Sequence, residues 1–483
     1  MGASILLNAR LVPLITDFLH ATKKALTERA IAAPVVIVRS DGSMMSEKFA
    51  THRPVETLLC GPAASAMGGL ALAKEKDCLV VDMGGTTTDV AIIQDGVPRK
   101  ARDGIRVGKW STFVIGLAVD TFGLGGDSAV RFDGNGRMSL QPTRLIPLSV
   151  AAEKWPSLVG QLQRLVATGK KHPLLLHEFF CLVRDISDNP GYSRKEIAFC
   201  KALKSAPLGL IEAAKAAGTD AYNLNVHRLE EEGVVMRCGL TPTDIMHIKG
   251  DFVGFNVEAA RLGADFVAHC IDVSPDALGD MVYDSVKKAL YQNIVRVLLG
   301  DKYLHSAEID PDSRLETLIS DSWEIAKNGA TKDFLRFGFH TPAVLVGIGA
   351  PIHIFLPDVA RALGTKYVIP ENAGVANALG AILGNITATC EVVIKPQYSL
   401  QGINGYIVFG NTRNSHVARK EESIEIAIHE AEAAAREEAA RRGASGDIAV
   451  SSRVVMNAAQ ASDRTEVLLG IKVVATAVGR ISF

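Results

Sequence analysis

Between residues 10 and 30, Leu11, Leu14, Ile15, Phe18, Leu19, Ala25 and Leu26 recur at helical spacing with Lys23 and Lys24 between them, which predicts an amphipathic helix. PVVIV (34–38) is a β-branched run closed by Ser40-Asp41-Gly42-Ser43, the signature of a short strand and a turn. GPAASAMGGLALA (61–73) is dense in glycine and alanine and predicts a helix whose surface lets neighbouring backbone come close. CLVVDMGGTTTDVAII (78–93) reads as an apolar strand, a Gly-Gly-Thr turn and a second apolar strand. Further strands are expected near 97–107 and 111–117, ending in the glycine-rich loop Gly123-Leu124-Gly125-Gly126.

From residue 140 to 335 helical spacing dominates, as in WPSLVGQLQRLV (155–166) and LGDMVYDSVKKALYQNIVRVLL (278–299). Residues 193–238 predict helix, helix, helix and strand, the order of a winged-helix module. A DNA-reading helix there would need a basic face, and the segment carries Glu230, Glu231 and Glu232, so a packing role is expected. Strand-like runs return after 340: PAVLVGIGAP (342–351), then a helix near 354–364, a strand KYVIP (366–370) and a second small-residue helix, VANALGAILGNI (375–386). The tail alternates strands with a long Ala/Glu helix near 423–442, closed by Gly443.

A chain of 483 residues exceeds one core, so two to four domains are expected. Its 52 Lys+Arg and 53 Asp+Glu nearly cancel, which argues against nucleic acid or an anionic membrane as partner. The seven cysteines are dispersed without a C-x-x-C pair, which reads as reduced thiols of a cytoplasmic protein. No signal peptide is read at the N-terminus, and no stretch approaches the ~20 apolar residues of a membrane span. The weak myristoylation-like start at Gly2 is read as coincidence.

The strongest chemical signal is Asp82-x-Gly84-Gly85-Thr86-x-x-Asp89 between two apolar strands. Such a turn presents successive backbone N–H groups, and its glycines permit positive φ and close approach of a ligand. Thr86, Thr87 and Thr88 add hydroxyls, and Asp82 and Asp89 can hold a magnesium ion through water. An ordinary hairpin also uses Gly-Gly, but it does not call for two carboxylates and three threonines at the end of a buried strand. Gly123–Ser128 (GLGGDS) is weak alone. Val346-Gly347-Ile348-Gly349-Ala350-Pro351 can let an adenine lie against bare backbone or can be a tight strand-to-helix turn. His247 and His353 lie on apolar segments and are read as satisfied core residues, with a ligand or general-base role as the alternative. Asp244 is explained by an N-cap.

In order along the chain, these elements resemble the actin / Hsp70 / sugar-kinase superfamily. Within it the chain resembles the hydantoinase A / 5-oxoprolinase family. The motifs that carry this are SDGSMMS (40–46), RPVETLLCGPAAS (53–65), VVDMGGTTTDVA (80–91), GLTPTDIMHIKG (239–250), VGIGAPIHIFLPDVARALGT (346–365) and IPENAGVANALGA (369–381). The resemblance implies an α/β fold: an actin-like (ribonuclease H-like) ATPase core, a large helical insertion and a small α/β C-terminal domain. It makes residues 82–89 the second phosphate loop, residues 347–349 the adenosine loop, and 61–73 and 375–386 the connecting helices. The expected divisions are 1–75 (part of the first lobe), 76–139 (start of the second), 140–339 (insertion), 340–390 (rest of the second lobe) and 391–483 (C-terminal domain).

The expected site comprises Asp82 and Asp89 as the catalytic and metal-holding pair. Gly84, Gly85, Thr86, Thr87, Gly125, Gly126, Gly347 and Gly349 are its nucleotide contacts. The implied activity is ATP- and Mg2+-dependent opening of a small cyclic amide or imide. The alternatives are a ketone carboxylase subunit, an ATPase activator of another enzyme, or a non-catalytic remnant. Two departures from the family pattern stand out. No DxGGTxTD-type loop precedes residue 82, so a B-type hydantoinase subunit or a chain supplying the other half-domain is an expected partner, and weak nucleotide binding by the chain alone is expected. Before the glycine loop, Ala118 and Asp120 stand where many relatives carry Asp and His, and Asp127 replaces a glycine within it.

Overall fold

The helical spacing around residues 10–30 extends further toward the N-terminus than the pattern indicates, and α1 spans Gly2–Glu28. The structure is a computed structural model that describes residues 2–101, 104–108, 110–187, 189–303, 313–329, 335–399, 402–460 and 466–480. It divides into two units that interleave in sequence: Met1–Ala71, Val97–Val119 and Val375–Phe483 in one, Leu72–Gly96 and Asp120–Gly374 in the other.

In the first unit Ile15 and Leu19 of α1 pack on a small core formed by β1 (Val36–Val38), β2 (Met44–Ser46) and α2 (Glu47–His52). Ile5, Leu6, Leu14 and Phe18 of α1 are exposed. By length and composition α1 is the one helix among the described residues suited to crossing a membrane, where the sequence reading had expected none. The small-residue segments form α3 (Cys60–Ala73) and α14 (Ala376–Leu383). They touch at glycine: a Cβ on Gly68 would lie 1.9 Å from the Ala376 carbonyl oxygen, and one on Gly380 would lie 1.8 Å from that of Ala64. Asn377 Nδ2 adds bonds to the Gly61 carbonyl and Ser65 Oγ. Only two-residue strands, β5 (Val97–Pro98), β6 (Arg106–Val107) and β7 (Trp110–Ser111), form where longer ones were expected near 97–107 and 111–117; positions 102, 103 and 109 of that stretch lie outside the described residues.

The tail of the first unit is an antiparallel sheet in the order β19-β18-β17-β21-β20. Its strands are β17 (Ile386–Ser399), β18 (Gly402–Phe409), β19 (Asn414–Val417), β20 (Ser445–Gln460) and β21 (Glu466–Arg480). Helix α15 (Lys420–Arg441) lays Ala427, Ala431, Ala435 and Ala439 on it, a stripe with period four that brings the helix close to the sheet. Gly443 follows at φ +110, where the chain leaves the helix.

The second unit is built on β3 (Cys78–Met83) and β4 (Thr88–Gln94), joined by the Gly-Gly-Thr turn. β3 is apolar at every position except Asp82 and lies between β4, antiparallel, and β15 (Val344–Ile348), parallel. β16 (Tyr367–Val368) extends the parallel side, and β8 (Val119–Phe122) also pairs with β4. A hairpin of β9 (Ser128–Phe132) and β10 (Met138–Arg144) follows. A second sheet runs β11-β14-β12-β13, from β11 (Ile146–Pro147), β12 (Phe179–Leu182), β13 (Leu208–Gly209) and β14 (Val235–Gly239). Helices α4 (Leu148–Lys154), α5 (Ser157–Ala167), α9 (Pro242–Lys249), α10 (Val257–Cys270), α11 (Pro275–Lys302), α12 (Ser313–Asn328) and α13 (Ile352–Ala362) share one large core with the first sheet. The predicted helix–helix–helix–strand order appears as α6 (Arg194–Ala202), α7 (Leu210–Ala216), α8 (His227–Glu231) and β14, around a separate small core.

Candidate functional site

Asp82 and Asp89 stand directly opposite each other in the β3–β4 register, with Met83 opposite Thr88. Two carboxylates at facing cross-strand positions repel, and the arrangement suits a cation between or beyond them. Burial raises the Asp89 carboxyl above its ordinary value; the bond from Thr121 Oγ1 opposes this and the Asp82 charge adds to it. Among the described residues no three His, Cys, Asp or Glu gather as metal ligands. Burial likewise raises Asp120, on the strand that pairs with β4.

The turn between the strands is closed by a bond from Gly84 N–H to the Thr87 carbonyl, 2.9 Å. Gly85 and Thr86 are exposed. Neither Gly84 nor Gly85 takes a positive φ, which corrects one reason expected for them. Gly85 lies close to Asp127 instead: a Cβ there would meet Asp127 Oδ2 at 2.9 Å, and the carboxylate would have to turn aside. Thr88 is fully buried and ties the turn to the glycine-rich loop through its Oγ1 bond to the Leu124 carbonyl, 2.7 Å.

That glycine-rich loop supports the turn rather than lining the site. Gly126 N–H donates to the Gly84 carbonyl (3.1 Å), Asp127 N–H to the Gly85 carbonyl (2.7 Å), and Gly125 N–H to Ser128 Oγ (3.0 Å). Gly125 is glycine because a Cβ would fall 2.3 Å from the Gly85 oxygen. With these amides engaged and both residues buried, the expected nucleotide contacts from Gly125 and Gly126 are corrected to a buttressing role.

The two glycines after 346 also separate. Gly347 lies within β15 opposite Val81, and a Cβ on it would meet Leu356 at 2.7 Å, so it serves the packing of α13 on the sheet, not a loop contact. Gly349, by contrast, lies past the end of β15, against the end of β3. It has φ +90, and a Cβ would lie 2.2 Å from the Met83 oxygen and 2.9 Å from Asp82 Oδ1. The parallel pairing of Ile348 with Asp82 therefore brings the Gly349 loop against the end of β3, where the Gly84 turn begins. The N-terminus of α13 follows at once, without a side-chain cap, and helix starts favour anions.

The other flagged residues are structural. His247 Nδ1 lies 2.7 Å from the Thr243 carbonyl, and Nε2 accepts from Gly254 and Phe255 N–H, with the rings of Phe252 and Phe255 against it. Asp244 closes a capping box with Thr241 and also accepts from the N–H groups of Leu148 and Ser149, so it joins the starts of α9 and α4. Burial raises its carboxyl, and those bonds resist the rise. His353 is exposed, contrary to the core placement expected, and lies 2.9 Å from the Ala350 carbonyl through Nδ1.

The sequence marks Asp127 only as a departure from the family pattern and gives no sign of Arg144. Asp127 packs on Gly85 and is bonded by Arg144 Nε at 3.3 Å; burial raises its carboxyl and the guanidinium pulls it back.

Comparison with known proteins gives one matching family model and two structures of similar fold. Residues 2–147 match the model of the hydantoinase/oxoprolinase family. A 99-residue stretch, 20% of the chain, is 28% identical to an uncharacterized protein of Methanocaldococcus jannaschii and covers 15% of that protein. Two solved structures share the mixed α/β fold. One is an ATP-dependent caprolactamase from Pseudomonas jessenii, with TM-score 0.51 and 14% identity over 99% of this chain and 58% of that one. The other is a nucleotide-free acetone carboxylase from work on ATP-dependent acetone carboxylation, with TM-score 0.50 and 12% identity over 95% and 54%. The chain thus spans a little over half the length of these structures.

Proposed function

We propose, from the match of residues 2–147 to the hydantoinase/oxoprolinase family, that the chain is the nucleotide-binding part of an ATP-dependent enzyme that opens a small cyclic amide or imide. The core of that enzyme is read as actin-like. One observation carries the reading: the Asp82/Asp89 pair and the exposed Gly84–Thr87 turn lie against the positive-φ loop at Gly349, at the ends of adjacent parallel strands. A crevice beyond strand ends is where open α/β sheets take ligands.

In this reading the turn's free amides and the Thr86 and Thr87 hydroxyls bind phosphate oxygens, and the Gly349 loop takes the adenosine side. Asp82 and Asp89 fit a hard divalent cation held through water, because they are oxygen donors whose mutual repulsion a cation relieves. Phosphorylation of a carbonyl oxygen converts it into a good leaving group, and the protein contributes positioning and charge neutralisation. A ketone carboxylase remains the second reading, since the same activation serves an enolate and one structure of similar fold is an acetone carboxylase.

The test is Mg2+-ATP binding by calorimetry, then hydrolysis with hydantoin, 5-oxoproline, or ketone plus bicarbonate, with and without a B-type subunit. Asp89→Asn is expected to stabilise the ligand-free protein slightly, by roughly 0.2–1 kcal/mol, as the cross-strand repulsion goes. The same variant is expected to lose most of the Mg2+-dependent part of ATP affinity. Unchanged Mg2+ dependence in Asp89→Asn, or an absence of ATP binding by the parent protein, overturns the assignment.

A further inference from the structure

Beside the phosphate-loop candidate, the second unit contains a cleft of about 660 Å³ lined in part by Arg131, Thr143, Arg144, Asn225, Glu230 and Arg237. Three arginines border it, and their hydrogen bonds differ sharply. Arg131 uses Nε and Nη2 on the two Glu178 oxygens (2.5 and 2.9 Å) and Nη1 on Gln141 Oε1 (3.0 Å). Arg237 uses Nε and Nη2 on Glu230 and Nη1 on Glu178 Oε2 (2.5, 3.4 and 3.2 Å). All six of those nitrogens are engaged, and the carboxylates of Glu178 and Glu230 are taken up with them. Glu231 lies beside His227 at 3.5 Å.

Arg144 is the exception. Its one bond is from Nε to Asp127 Oδ2 at 3.3 Å, and its side chain is 56% exposed. Both terminal nitrogens, the fork that matches a carboxylate, are without a partner among the described residues. The local backbone aims it there. Register in the β9–β10 hairpin shifts between Gln141 and Arg144, around Pro142, so Arg144 comes opposite Ser128, next to Asp127. Since Asp127 itself rests on Gly85, Arg144 stands where the cleft meets the phosphate-loop candidate.

We propose that this cleft is the acceptor site, and that Arg144 is its specificity-determining residue, holding a small organic carboxylate by a forked pair of hydrogen bonds beside the Gly84–Gly85 turn. The proposal rests on the reading of that turn as the phosphate site. Thr143 and Asn225, which also line the cleft, supply neutral hydrogen-bonding groups for the rest of such a molecule. The Arg131–Glu178–Arg237–Glu230 network forms a rigid wall without net charge, so the discriminating charge is that of Arg144.

The experiment uses the full chain and two probes, 5-oxoproline and 2-pyrrolidinone, which is the same ring without the carboxylate. Binding is measured by calorimetry, and Mg2+-ATP binding is measured separately without either probe. The parent is expected to bind 5-oxoproline at least about tenfold more tightly than 2-pyrrolidinone, the scale of a charged hydrogen bond. Arg144→Ala is expected to erase that preference, while Arg144→Lys, which keeps the charge and loses the fork, falls between. Thermal unfolding of both variants checks that they are folded. Equal affinity for the two probes, no binding of 5-oxoproline by the parent, or an undiminished preference in folded Arg144→Ala overturns the proposal. ATP binding without carboxylate selectivity sinks this inference alone; carboxylate selectivity through Arg144 without ATP binding sinks the nucleotide reading alone.

Discussion

His177 shows at the level of one residue how the second unit is tuned to pH. It is fully buried, with Phe132 stacked at 6.0 Å and Phe266 at 5.8 Å between ring centroids, and among the described residues its ring nitrogens have no well-formed hydrogen bond, only a weak interaction with the Val130 backbone. Burial lowers its pKa to about 4. A base with a depressed folded value binds its proton more readily when unfolded, so stability falls as pH drops from about 6.5 toward 4. His177→Leu removes that group, and its stability curve from denaturant unfolding is expected to be flatter there by up to ~1.4 kcal/mol per pH unit. Parallel curves for parent and variant would mean that the ring is hydrated in solution. Residue roles of this kind were only partly legible. The facing placement of Asp82 and Asp89 was legible, because a short turn between two apolar strands sets it. Gly125 and Gly347 carried the same letter for different reasons, a close carbonyl and a packed helix, which composition does not distinguish. The meeting of Asp127 with Arg144 was not legible, because it depends on a register shift in β10.

At the scale of elements, the contact of α3 with α14 leaves no room for a side chain at two glycines. Gly68 and Gly380 each bring backbone where a methyl group would stand, under 2 Å from a carbonyl oxygen. Gly380→Ala cannot be relieved by turning a side chain, so the helices must separate. Overpacking of this kind costs typically 1–3 kcal/mol, and the upper part of that range is expected from thermal unfolding. Gly61→Ala, with nothing within 4 Å of the added carbon, is the matched control and is expected to be neutral or slightly stabilising. Equal melting of Gly380→Ala and the parent would show that the helices do not meet in this way. The small-residue runs announced both helices, because alanine and glycine at that density suit little else. The sheet strand Phe179–Leu182 gave no such notice: four apolar residues without alternation are equally a piece of helix, and only pairing with β14 decides.

At the scale of the whole molecule, the two units have separate cores. One is the large cluster around β3, β15 and α11, and the other is the alanine-lined layer between α15 and the five-stranded sheet. Every group assigned to the nucleotide here, from Asp82 to Thr87 and at Gly349, belongs to the unit made of Leu72–Gly96 and Asp120–Gly374. The sequence reading already divides the second lobe between 76–139 and 340–390, and the strand pairing of β15 on β3 joins segments over 250 residues apart. A ligand stabilises what it binds, by about 2.7 kcal/mol at a hundredfold excess over Kd, and cooperativity decides how far that reaches. Hydrogen exchange with and without Mg2+-ATP reads this out. The amides of Gly85–Thr87 are expected to gain protection directly, and β3 and β15 by slowed opening of their own core. Gly126 and Asp127, already bonded to the turn, should be slow before nucleotide is added. β17 and β21 should exchange at nearly unchanged rates. If those two strands slow as much as β3 does, the chain unfolds as one cooperative block and the division into two energetic units is wrong.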